Sequence, residues 1–385
     1  MLQLGKILHS NGFSIIVAHT DFNSLNPLDH PEFVFLPLAD GLSGYDVFWQ
    51  HGTYPEVFGQ VSCIIYDFIM YCGDAVANHL SLPSLVFRPV SASYVHSHHV
   101  ILQLQAEGHF PLPGSQRRDP VPNLHHLRFK DLPLLVSSKI SDGLLEHFAN
   151  NISTGNSVAV IWNTTEDLEH LSLSQLQELH EVPFFPIGPI HKMTSTLSTS
   201  LMKEDRNCMM WLDRQAPNSV LYASLGSLAT IDEKELEETA WGLADSGQPF
   251  LWVRSSRINR LHSEMGTSEG GSGTFCCGRI FQPLWLEFNT GKHSRYLSYI
   301  WKAGLELENA KDRVVIAISK KTGVENEGKE TRQRMLAMKQ KVQASSRKDG
   351  SSYNSLNDLI AFISSLPCHT NVKATLERKV SGEDF

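Results

Sequence analysis

The sequence predicts an α/β protein made of two Rossmann-like domains, each around a parallel sheet, and three observations carry that prediction. Short β-prone runs alternate with amphipathic helical runs through the first half of the chain, the order of a doubly wound sheet. A complete strand, turn, helix and strand unit spans residues 219–254 in the second half. The 385 residues exceed what one small core accommodates, so two domains are the natural division.

Taken in order, residues 1–10 place apolar side chains at helical spacing, and Asn11-Gly12 stops that run. Residues 13–18 form a buried-type strand ending at His19-Thr20. After a polar loop with Pro27 and Pro31, residues 33–37 give a short strand. Residues 61–66, VSCIIY, are the next β-run and deliver Asp67 to its carboxyl end, the edge at which parallel sheets bind ligands. Helix is expected over 73–80, strand over 84–87 and helix over 94–106. The proline-rich stretch 111–133 reads as loop. Helix over 142–150, strand over 157–163, helix over 168–179 and the run 184–189 complete a first domain of residues 1–193. Residues 194–204, rich in Ser and Thr, form the linker.

The second domain, 205–366, opens with the apolar run 208–212 and the 219–254 unit. Val220, Leu221 and Tyr222 start a strand, and Gly226-Ser227 make a turn whose backbone N–H groups can face an anion. Asp232, Glu233 and Glu235 suit the positive end of the helix that follows, whose apolar face carries Leu236, Ala240, Leu243 and Ala244. Gly247 and Pro249 end it, and residues 250–253 form the second strand. Periodicity fades over 255–294, returns over 296–307, 329–346 and 353–366, and gives way to a tail, 367–385, expected to be disordered.

Composition excludes several classes. A formal charge of -8 without a basic block argues against a nucleic-acid partner. No apolar run reaches the length of a membrane span, so no stable membrane insertion is expected. The six cysteines form no CxxC pair and read as thiols of a reducing compartment, which makes the expected location cytoplasmic. The sequons at Asn151 and Asn163 are then chance matches. His96 and His99 lie one helical turn apart with His98 between them, but no neighbouring Cys, Asp or Glu completes a ligand set, so no metal is expected. No GxGxxG follows a strand with an acid about twenty residues on, which sets a dehydrogenase aside.

The combination of LQLGKILHSNGFSIIVAHTDFN, CIIYD, VIWNTTEDLE, FFPIGPI, WLDRQAPNSVLYASLGSLATI and GSSYNSLNDLIAFISS resembles the plant family-1 UDP-glycosyltransferases. That resemblance implies a GT-B fold, with an acceptor pocket in the first domain and a nucleotide sugar in the second. It implies inverting transfer from a UDP-sugar co-substrate, without a further cofactor. Asp67 matches the aspartate that orients a general-base histidine, and Gly226 and Ser227 match the turn that contacts the donor diphosphate. His19 and Ser91 are the expected acceptor-pocket residues. The matching histidine and first strand correspond to positions ahead of Met1, so the first domain is expected to lack its first strand. The family's donor box is not reproduced between Arg254 and Tyr296, which leaves the second domain incomplete around 255–294. Two expectations follow: a monomeric glucosyl-type transferase acting on a hydroxyl of a small lipophilic acceptor, or an inactive remnant that binds a small apolar molecule or a protein partner.

Overall fold

A computed structural model describes residues 1–20, 26–38, 61–122, 124–129, 132, 140–194, 207–224, 233–253 and 326–367, with positions 71, 218, 246 and 248 excepted. The chain divides into two compact units. The first comprises Met1–Leu102, Gly143–Leu201 and Gln340–Phe385, and the second Gln103–Asp142 and Met202–Lys339.

In chain order the first unit begins with α1 (Leu2–Ser10), β1 (Ile16–Thr20), β2 (Val34–Leu38), β3 (Ile64–Asp67), α2 (Cys72–His79) and β4 (Ser84–Arg88). Helix α3 (Ala92–Ala106) follows. The stretch expected as plain loop instead contains a small antiparallel pair, β5 (Pro120–Val121) and β6 (Leu124–Arg128). The prolines did not prevent it, because Pro120 sits at the first position of a strand, where a missing N–H is tolerated. Then come α4 (Asp142–Ile152), β7 (Ala159–Trp162), α5 (Glu166–Glu178) and β8 (Phe184–Pro186). The remaining elements are α6 (Asn207–Leu212), β9 (Leu221–Ser224), α7 (Glu233–Asp245), β10 (Phe250–Val253), α8 (Asn326–Ser345) and α9 (Ser351–Ser365).

Strands β3, β4, β7 and β8 form one parallel sheet in that order, and β1 pairs with β2 in a separate parallel sheet. Each parallel neighbour in the larger sheet is reached by a helical crossover, which fits the expected βαβ order. Its two central strands are buried along their whole length, SLVFR and AVIW, as a sheet covered on both faces requires.

Side chains alternate between the two faces. Leu85 and Phe87 of β4, with Ala159 and Ile161 of β7, pack under Leu4, Ile7 and Leu8 of α1. Leu356, Leu359 and Ile363 of α9 join the same cluster, so the last described helix belongs to the first unit's core. Val86, Val160 and Trp162 face the other way, against Ala92 and Val95 of α3 and Leu173 and Leu176 of α5. Two polar anchors fix α9: Ser352 donates to the Gly188 carbonyl at 2.6 Å, and Ser351 donates to Asp167 at 2.6 Å.

Arg88, only 2 % exposed, spans the second face. Its guanidinium donates to the carbonyls of Ile152 and Ser153, at 3.0 and 2.7 Å, and lies over the Trp162 ring. A cation there meets the negative end of α4. Burial pulls its pKa down to about 10, which still leaves it charged at neutral pH. Asn151, one of the two sequon residues, is buried and its amide hydrogen-bonds the His147 ring at 3.1 Å. Cys63 and Cys72 are free thiols, whereas Cys208 is disulfide-bonded, which corrects the expectation of free thiols at that position. No described helix is long and apolar enough to cross a membrane.

In the second unit β9 and β10 pair in parallel, with Leu221 opposite Phe250 and Ser224 opposite Val253, around crossover helix α7. Leu221 and Ala223 pack on Leu243 of α7, which is the apolar face read from the spacing of that helix.

Candidate functional site

Asp67 is the last residue of β3, so its side chain leaves the sheet at the carboxyl edge. One carboxylate oxygen, Oδ1, accepts the Ile69 backbone N–H at 3.1 Å, and the Asp67 carbonyl accepts from Met70 N–H at 2.7 Å. This Asx-type turn fixes the carboxylate by local backbone geometry. The head of α1 lies beside it: burial lowers the pKa of the Met1 amino group, and the charge of Asp67 opposes that shift. The positive end of a helix stabilises an anion in that place. Ile69 and Met70, immediately past the acid, are exposed apolar side chains at 65 % and 48 % exposure.

Ser91 follows β4, the strand hydrogen-bonded to β3. Its hydroxyl donates to the carboxylate of Glu169, and its oxygen accepts from Tyr94 N–H at 3.4 Å. His19 is the penultimate residue of β1, in the other sheet of the same unit, with its ring edge-on to Phe35 at 5.8 Å and Nδ1 3.2 Å from the Thr20 carbonyl. The structure therefore brings Asp67 and Ser91 to adjacent strand ends and holds His19 on a separate sheet. Gly226 and Ser227 lie outside the described residues, as does the whole of 255–294. The described part of the βαβ unit shows β9 ending at Ser224, paired in parallel with β10, and α7 beginning at Glu233.

Buried histidines gather on and around α3. Burial, helped by the charge of His99, drops the His96 pKa to about 4, and burial lowers His99 as well. His180 is lowered by burial and by the charges of Arg88 and His99. His98 is enclosed between the rings of Tyr94 and Phe148, each with centroids 4.3 Å away. Among the described residues no three His, Cys, Asp or Glu side chains gather as a metal site.

Two residues that sequence reasoning passed over matter here. Nothing in the local spacing of Glu169 or Arg88 shows that both are buried and engaged with other helices. Chemically, the strand edge offers a fixed carboxylate, able to hold and orient a proton-carrying partner, next to apolar surface.

Comparison with known proteins places this geometry in context. Residues 58–262 match the family model described as UDP-glucoronosyl and UDP-glucosyl transferase. UDP-glycosyltransferase 76E1 of Solanum lycopersicum is 42% identical over 429 positions, covering 95% of this chain and 90% of that protein. UDP-glycosyltransferase 76H1 of Stevia rebaudiana is 35% identical, covering 95% of this chain and 100% of its own length. The tomato alignment, 429 positions against 385 residues, passes over segments that the relative has and this chain lacks. Among solved structures, Phytolacca americana UGT2 complexed with UDP-2fluoro-glucose and pterostilbene aligns with a TM-score of 0.63 at 20% identity, covering 94% of this chain and 96% of that one.

Proposed function

The chain belongs to the UDP-glycosyltransferase family, a family of GT-B enzymes, and we propose that it transfers glucose from UDP-glucose to a hydroxyl of a small lipophilic acceptor. The observation that carries this reading is Asp67: an acid of the family-like CIIYD run stands at the carboxyl end of a parallel strand, tied through one oxygen and beside exposed Ile69 and Met70. An apolar acceptor would cover those two side chains, while the free oxygen of Asp67 is available to orient a proton-accepting group and stabilise its positive charge. As that group takes the hydroxyl proton, the acceptor oxygen attacks the anomeric carbon, the bond from that carbon to the diphosphate oxygen breaks, and UDP departs, with inversion. Gly226 and Ser227, read from the sequence as a small-residue pair between a strand and a helix, would receive the diphosphate, with backbone N–H groups and a hydroxyl to meet negative charge. Ser91 and His19 contribute to the acceptor side. The family relatives and the UDP-sugar complex of the structural neighbour support this assignment. We place the protein in the cytoplasm, as a monomer.

A UDP-release assay with UDP-glucose and a panel of phenolic and terpenoid alcohols tests the proposal. Acceptor-dependent UDP release is expected, and release no greater than that of heat-denatured protein would overturn it.

A further inference from the structure

We propose that Glu169 is a positioning residue that sets the acceptor-side wall of the site by holding the first turn of α3. This rests on the reading of the β3 and β4 carboxyl edges as the acceptor side. The carboxylate is 4 % exposed and accepts three hydrogen bonds, all from the segment that follows β4. The Ser91 hydroxyl and Ser93 N–H reach Oε1, the latter at 3.1 Å, and Ala92 N–H reaches Oε2 at 3.0 Å. Helix N-termini leave their first N–H groups without helical partners, and an anion satisfies them while complementing the helix dipole. Here the anion arrives from another helix.

The delivery has a backbone signature. Within α5, Glu169 alone departs from helical geometry, at φ -125 and ψ 24, so the helix bends at the residue whose side chain must reach α3. A second contact runs parallel to it: the Ser93 and Ser172 hydroxyls are 2.9 Å apart in the same buried interface. The consequence for the site is geometric. Strand β4 is hydrogen-bonded to β3, and residues 89–91 turn from the end of β4 into α3 beside the strand that ends in Asp67. With Glu169 in place, Ser91 is held by its own hydroxyl; without it, both the hydroxyl and the first two N–H groups of α3 lose their partner, and the wall is free to shift relative to Asp67. A shift of that wall acts on substrate orientation.

The test compares Glu169→Ala and Glu169→Gln with the unmutated full chain. In UDP release with 4-methylumbelliferone, Glu169→Ala is expected to raise the acceptor KM about tenfold or more with the UDP-glucose KM changed less than about twofold, and Glu169→Gln, which keeps an accepting oxygen, to recover part of the loss. Hydrogen exchange at the Ala92 and Ser93 amides should accelerate in Glu169→Ala while amides of β4 and β7 stay protected. Equal changes in both KM values, or unchanged exchange at Ala92 and Ser93, would overturn the positioning role. Absence of turnover in the unmutated chain would defeat the transferase reading by itself; the positioning role would then stand or fall on the exchange pattern and on whether Glu169→Ala weakens 4-methylumbelliferone binding measured by fluorescence.

Discussion

Acid should destabilise this protein through His96, and the size of the effect follows from where that ring sits. His96 is 3 % exposed on α3, its Nδ1 has no hydrogen-bond partner, and the His99 ring stacks on it with centroids 6.4 Å apart. Burial is the main cause that takes its pKa from the ordinary 6.5 to about 4, and the His99 charge adds to it. With the folded value below the unfolded one, the unfolded chain takes up the proton first. The stability contributed by neutral His96 is therefore present above pH 6.5 and is lost as pH falls toward 4. Integrated over that window, the loss is about 2 kcal/mol at pH 5 and about 3 kcal/mol when titration is complete. Urea denaturation at about pH 7.5 and about pH 5, on the unmutated chain and on His96→Gln, isolates the contribution, because carboxylates and the remaining histidines titrate in both proteins. The variant should lose about 2 kcal/mol less than the unmutated chain between the two conditions. Identical losses would refute the assignment of acid sensitivity to His96.

Three further outcomes concern the core that positions the site. Leu359→Ala, at a fully buried position of α9, should cost about 3 kcal/mol and lower the melting temperature by about 6–12 °C, while Leu336→Ala at an exposed position of α8 should stay within about 0.5 kcal/mol. Gly188→Ala would place a Cβ 2.3 Å from the Asn163 carbonyl carbon and 2.4 Å from the Thr164 nitrogen, both backbone atoms, and should cost about 3 kcal/mol in a thermal melt. Arg88→Met removes the donor of two bonds to the last carbonyls of α4 and should destabilise by about 2 kcal/mol, read as faster hydrogen exchange across that helix.

Much of the first unit was legible because its signals are local and strong. The β-runs expected over 61–66, 84–87 and 157–163 became β3, β4 and β7 with ends shifted by up to three residues, and the apolar spacing of residues 353–366 became α9. Amphipathicity says that a helix face is buried but not against what, so the packing of α9 on the first unit's sheet could be seen only in three dimensions. The same limit explains Glu169: an acid in a helix's first turn is explained by its own helix dipole, and the partner helix 76 residues away leaves no mark on local spacing. The pair β5 and β6 was hidden by proline, whose effect on a ladder depends on which edge its nitrogen faces. Asp67 could be picked out from the sequence because strand ends in parallel sheets are defined by the strand itself. Its proximity to the head of α1 depends on tertiary structure.

The central claim, sugar transfer at the carboxyl edge beside Asp67, is tested most directly by the rate of UDP release from UDP-glucose in Asp67→Asn relative to the unmutated chain, with an acceptor alcohol present. Asparagine keeps the size of the side chain and an oxygen for the Ile69 N–H, but removes the charge that supports a base. The account predicts acceptor-dependent release by the unmutated chain and a rate lower by about 10²-fold or more in the folded variant. Equal rates in the two proteins, or no release by either, would contradict it.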